Sequence, residues 1–194
     1  MSVRIVEGEI RLINLRTRMP FKYGIATMTD VPYAFLRLAV EIDGTVHEGY
    51  SADNLPPKWF TKIPETPLGG EMTEMLRVIE HARETAIGLQ ADTPFDLWLD
   101  LYEAQSAWGD SENLAPLLSG FGTSMVERAL IEAACRAANK PFAAAVRDQD
   151  LGIAMAAIQI QLNTTKPLEW LPEQPLQSII ARHTVGLADP LTPA

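Results

Sequence analysis

The chain has 194 residues, 47% hydrophobic and 21% charged, which suffices for one ordinary domain with a proper core plus an appendage. Its 16 Lys and Arg against 25 Asp and Glu leave a formal charge of −9, the wrong balance for neutralising phosphates, so nucleic acid is excluded as a partner. The single cysteine, Cys135, excludes an intrachain disulfide framework, the start MSVRIVEGEI does not read as a secretory signal, and no stretch reaches the ~20 apolar residues of a membrane helix; the expected location is the cytoplasm.

In chain order, the first 50 residues read as β-structure. Ile10, Leu12, Asn14 and Arg16 alternate with Arg11, Ile13, Leu15 and Thr17 as a first strand. Between Tyr33 and Asp43 the alternation is cleaner: Ala34, Leu36, Leu38, Val40 and Ile42 share one face, and Phe35, Arg37, Ala39 and Glu41 the other. Asp43-Gly44 is a hairpin signal because both residues tolerate positive φ, and Val46, Glu48 and Tyr50 continue as a third, shorter strand. Residues 51–69, with Pro56, Pro57, Pro64 and Pro67, are expected to be a loop.

Helices follow. From Gly70 to about Gln90, Met72, Met75, Leu76, Ile79, Ala82, Ala86 and Leu89 recur at helical spacing. Asp92-Thr93-Pro94 predicts a cap with proline at the first helical position, opening a helix through Leu97, Trp98, Leu101 and Tyr102. A third helix is expected from Ser124, with Ser124 and Glu127 as a capping box, ending at Asn139-Lys140-Pro141. Phe142 to Val146 adds a short helical turn, and proline-punctuated pieces surround Pro167, Pro172 and Pro175. The run Ile179 to Gly186 reads as a buried strand with no partner in sight. The order predicts an α+β fold: a three-stranded antiparallel meander followed by a helical bundle.

Motif searches leave little chemistry. His47-Glu48 begins like a zinc-protease helix, but position 51 is Ser. Gly49-Tyr50-Ser51-Ala52-Asp53 lacks the closing glycine of a nucleophile elbow. Gly120-Phe121-Gly122 reads as a flexible helix start rather than a dinucleotide loop, since Met125 stands at the third position. Asp96 and Asp100 fit a solvated helix face, His47, His81 and His183 are scattered, and Cys135 fits packing. By spacing alone the chain offers no catalytic constellation and no metal site.

Four stretches together resemble the N-terminal region of the mandelate racemase and muconate lactonizing branch of the enolase superfamily. They are IRLINLRTRMPFKYG (10–24), LRLAVEIDGTVHEGY (36–50), SMVERALIEAACRAANKP (124–141) and the terminal ARHTVGL. Two departures stand out: His47-Glu48 precedes a single Gly49, and Glu132 occupies a position where the family commonly has Asp. The resemblance implies residues 1–147 as an enolase-like N-terminal capping domain. Residues 148–194 would then be a connector and the first strand of a (β/α)7β barrel cut short. The barrel of such an enzyme removes the proton α to a carboxylate, with Mg2+ stabilising the enediolate and a Lys or His as base. Lys22, Lys58, Lys62, Lys140 and Lys166 form no K-x-K pair, so the chemistry is expected outside this chain, with no cofactor held by it.

What the resemblance places here is substrate specificity. Two loops would close over the barrel mouth: one after the first strand, around Phe21, Lys22, Tyr23, Ile25 and Met28, and one after the third, around Ser51, Asp53, Asn54 and Trp59. Their aromatic and Met side chains suit an apolar lid, and Lys22 could pair with an anionic substrate group. The implied partners are the chain's own barrel, a small carboxylate substrate and, possible for the parent, further copies of itself. The alternative is a non-catalytic, stand-alone binding or oligomerisation module derived from the same fold.

Overall fold

The computed structural model describes residues 1–163, 169, 171–172, 174, 176–182 and 184–187. Three long strands come first: β1 (Val3–Tyr23), β2 (Ala26–Ile42) and β3 (Thr45–Asn54). Then follow α1 (Leu68–Ala86), the two-residue strand β4 (Gln90–Ala91), α2 (Pro94–Ser111), α3 (Pro116–Ala138), α4 (Phe142–Arg147) and α5 (Met155–Ile158). The sheet runs β3-β2-β1-β4, all antiparallel, so the expected meander is present and gains a fourth edge. β4 escaped the sequence reading because two residues carry no periodicity; it pairs with Val3 and Arg4 at the opposite end of β1 from the hairpin.

The alternation in β2 sets the core. Ala34, Leu36, Leu38, Val40 and Ile42 all face the helices and are buried, joined by Val3 and Ile5 from β1. Against them lie Met75, Val78, Ile79 and Ala82 of α1, Leu97 and Leu101 of α2, and Met125, Val126, Ala129, Leu130 and Ala133 of α3. Asp43 and Gly44 turn the β2–β3 hairpin with φ of 49° and 82°, the left-handed pair that matches strand twist. At the α2 start, Thr93 Oγ1 accepts the Asp96 N–H at 3.1 Å and Pro94 fills the first helical position, as its spacing predicts. His81 sits on α1 stacked against Trp108 at 3.8 Å, its Nδ1 2.6 Å from Gln105 Oε1; His183 lies outside the described residues.

Four sequence expectations are corrected. Helix α3 starts at Pro116, not Ser124: proline is preorganised for that position, and Ala115 is the cap residue without a side-chain bond. Ser124 is therefore mid-helix, its hydroxyl donating to the Phe121 carbonyl at 2.9 Å, and Glu127 reaches no helix terminus. Gly120-Phe121-Gly122 is accordingly inside α3, where Gly122 serves a close helix crossing: a Cβ there would lie 2.0 Å from the Val78 carbonyl oxygen of α1. Strand β3 continues to Asn54, and the stretch from Phe21 to Met28 is strand rather than loop, with Phe21 opposite Met28 and Tyr23 opposite Ala26. Finally, residues 179–182 and 184–186 adopt no strand, and Ile180 is 98% exposed. An apolar run becomes a strand only where a neighbour supplies the ladder, and the described sheet, β3-β2-β1-β4, does not include it.

Among the described residues no helix is long and apolar enough to cross a membrane.

Candidate functional site

The far part of the β1–β2 hairpin is largely exposed, and its tip turns over at Gly24, φ 51°. Register carries Phe21, Tyr23 and Met28 onto neighbouring positions of that tip. Tyr23 ties it to the segment after β3: its hydroxyl donates to the Pro57 carbonyl at 2.7 Å, and its ring meets Trp59 edge-on at 6.2 Å. Burial, with the Glu71 charge adding, pushes the Tyr23 phenol above its ordinary value and keeps it a hydrogen-bond donor.

The segment after β3 is held from both ends. Leu55 N–H donates to the Pro32 carbonyl at 2.8 Å. Lys58 takes a left-handed backbone, φ 55°, which turns its N–H onto the Glu71 carboxylate at 3.2 and 3.3 Å. Its Nζ donates to the carbonyls of Ile63, at 2.8 Å, and Thr66, while the Thr61 hydroxyl donates to Glu71 at 3.3 Å. With both flanks fixed, Trp59 projects outward, 56% exposed, and Phe60 packs on Phe121 of α3 at 5.0 Å.

Between hairpin tip, this segment and the start of α3 lies a cavity of about 750 Å³, within the usual range for small-molecule sites, ~300–1,000 Å³. Of the nine residues singled out in the sequence, Phe21, Tyr23, Met28, Asp53, Asn54 and Trp59 line it. Ile25 borders an adjoining recess, shared with Tyr23 and Trp59. The remaining two are elsewhere. Ser51 is turned inward and donates to the Met125 carbonyl at 2.7 Å, a β3–α3 tie. Lys22 lines neither cavity, and its own carbonyl accepts from the Leu187 N–H at 3.0 Å.

The sequence reading missed the α3 wall. Pro116, Leu117, Gly120, Phe121 and Ser124 form the α3 side of the cavity, and with α3 expected only from Ser124 the sequence pattern places Pro116 and Leu117 in no element. It also missed Arg128, which fixes the polar corner: Nη2 lies 3.0 Å from Asp53 Oδ2, and Nη1 donates to the Ala52 carbonyl at 3.0 Å. An Asp near a strand end and an Arg about three turns into a helix, 75 residues apart, share no local signal.

The cavity is thus largely aromatic and apolar, with Asp53, Asn54, Ser124 and Thr184 as polar points among its described lining. Its carboxylates do not fit a divalent cation. Asp53 is engaged by Arg128, Glu71 beside it by Lys58, and no three His, Cys, Asp or Glu gather among the described residues. What these side chains can do is hold an organic group and keep water from it.

No protein-family model matches the chain, and no curated protein matches it in sequence. Solved structures match its fold. One is an enolase from an alpha-proteobacterium with bound Mg, 19% identical, TM-score 0.52, with 73% of this chain and 34% of that one covered. Another is a mandelate racemase/muconate lactonizing enzyme, 16% identical, TM-score 0.53, with 74% and 34% covered. A third is an enolase from Streptomyces coelicolor, 15% identical, TM-score 0.52, with 74% and 31% covered. At these identities the likeness establishes the fold, an α+β body of the enolase N-terminal capping type. The chain spans about a third of the length of the structures it matches.

Proposed function

We propose that this chain is the capping and substrate-specificity domain of a metal-dependent enzyme of the mandelate racemase and muconate lactonizing branch of the enolase superfamily. Residues 1–147 form the cap, and residues 148–194 the connector and the beginning of a barrel. The parent enzyme abstracts the proton α to a carboxylate with Mg2+, and both the metal ligands and the bases lie outside this chain. The observation that best supports this reading is the convergence of Phe21, Tyr23, Met28, Asp53, Asn54 and Trp59, from two separate stretches of sequence, on one open cavity.

In this role the aromatic wall holds the part of the substrate remote from the reacting carbon and excludes water. Lower local polarity strengthens every charge interaction at a barrel mouth beneath it. Tyr23 and the Lys58–Glu71 pair hold Trp59 in place before substrate arrives, so less ordering is required on binding.

The test uses a protein in which this chain continues into a barrel. Exchange of the α-proton is followed by NMR in D2O with Mg2+ over a panel of aromatic and aliphatic carboxylic acids. The parent should exchange at least one acid, the 194-residue chain none, and Trp59→Ala should shift the preference within the panel by about tenfold, the size of one lost apolar contact. A parent that exchanges nothing, or a preference indifferent to Trp59→Ala and Tyr23→Phe alike, would refute the reading.

A further inference from the structure

A second cavity, about 250 Å³, opens between the start of α2, the middle of α3, α4 and residues 151–158. It shares no lining residue with the first. Leu130 and Ile153 contribute apolar wall, and three aromatic residues, Phe95, Trp98 and Phe142, complete it. The rings of Phe95 and Trp98 lie 5.4 Å apart, tilted by 40°.

Among the described residues, Glu127 is the one charged member of this lining. Its sequence neighbour Arg128 is turned away, committed to Asp53 and the Ala52 carbonyl on the β3 side of α3. No ion pair reaches Glu127 among the described residues. Trp98 Nε1 is buried and has no hydrogen-bond partner among the described residues. Burial raises the Glu127 carboxyl above its ordinary range, with Arg128 and the nearby Trp98 N–H opposing only in part.

A carboxylate drawn partly out of water with no counter-ion is costly, and a cation in the cavity would offset that cost. The surroundings select which cation. Ring faces attract a diffuse organic charge, whereas apolar walls offer nothing to replace the tightly held water of Na+ or Mg2+. We propose that this cavity binds a small organic ammonium ion, with Glu127 as counter-charge and Phe95, Trp98 and Phe142 as aromatic walls. The volume restricts the ligand to a few heavy atoms, the size of tetramethylammonium or a short alkylammonium. This site is independent of the capping role.

The probe is tetramethylammonium chloride, titrated into the 194-residue chain and followed by the Trp98 indole N–H resonance, which Trp98→Phe identifies by its loss. Sodium chloride at equal ionic strength and the uncharged tert-butyl alcohol, which has the same number of heavy atoms, serve as controls. Saturable displacement by tetramethylammonium alone is expected, weakened at least tenfold in Glu127→Gln. Phe142→Ala, at a side chain 58% exposed and so outside the tightly packed core, should weaken it as well. Circular dichroism establishes that each variant is folded. A response matched by sodium chloride or by the alcohol, or one that both variants leave unchanged, would overturn the proposal.

Discussion

Lys58 and Glu71 form the most enclosed ion pair among the described residues: Nζ lies 3.4 Å from Oε1, with side chains 13% and 4% exposed. Neither depends on the other alone. Glu71 also accepts the Lys58 backbone N–H and the Thr61 hydroxyl, and Lys58 donates to two carbonyls of the segment that follows. Removing one partner leaves a buried charge and stranded backbone groups. Glu71→Ala should therefore destabilise by ~3 kcal/mol, at the low end for breaking a buried pair, and Lys58→Met together with Glu71→Met by less than Glu71→Ala. Urea denaturation checks both; a cost below ~1 kcal/mol for Glu71→Ala would place the pair among ordinary surface pairs.

Gly122→Ala tests the helix crossing. The new methyl would meet the Val78 carbonyl at 2.0 Å and the Gln105 amide nitrogen at 3.0 Å, and a backbone carbonyl within a helix cannot step aside cheaply. Destabilisation of ~1–3 kcal/mol is expected, the range for overpacking. Gly120→Ala, two residues away with nothing within 4 Å of its Cβ position, should be neutral or slightly stabilising because alanine favours helix.

Thr93, at a helix start, and Ser124, inside a helix, predict unequal losses. Thr93→Ala removes the hydroxyl that accepts the Asp96 N–H and should cost ~1 kcal/mol. Ser124→Ala, inside α3, removes only a hydroxyl bonded back to the preceding turn and should cost less than half as much. Thermal melts of the two variants side by side provide the comparison; equal losses would restore Ser124 as a cap.

Glu127 predicts a pH dependence with a definite sign. Its folded carboxyl is raised above the ordinary 4.5, so the folded state holds its proton more tightly than the unfolded state does. Stability from this group is full below pH 4.5 and is lost as pH rises from there through the folded value. Glu127→Gln should thus gain on the wild type at neutral pH and lose that advantage in acid. Denaturation midpoints at pH 4 and pH 7.5 decide it; an advantage that grows in acid would show the carboxylate to be favourably paired.

Removing residues from Gln177 onward should leave the sheet-and-helix body folded. Leu176, Ile179, Ile180, Val185 and Leu187 are exposed, and the Leu187 N–H donates to the Lys22 carbonyl at the hairpin tip. The shortened chain should keep its helical circular dichroism and melt within a few degrees of the original, while scattering less light at matched concentration, since an exposed apolar run promotes association. Loss of helical signal would assign the segment to the core.

By itself the sequence determined the elements whose cause is local. The β2 alternation, the Asp43-Gly44 turn, the Thr93-Pro94 cap and the α1 stripe each depend on residues within a few positions of one another, and each stands where its pattern placed it, except that α1 stops at Ala86 and Leu89 lies beyond it. Tertiary structure decided that α3 runs unbroken through positions 120 and 122, because both glycines weaken the local helix signal and Gly122 fits a crossing with α1 that no local pattern encodes. It decided likewise that Ser51 turns inward, that Lys22 stays off the cavity, and that Arg128 meets Asp53. The fate of residues 179–182 and 184–186 has the same cause. A strand is a property of two chains side by side, so an apolar run can suggest one, but its ladder of hydrogen bonds exists only when a neighbouring backbone supplies the other half.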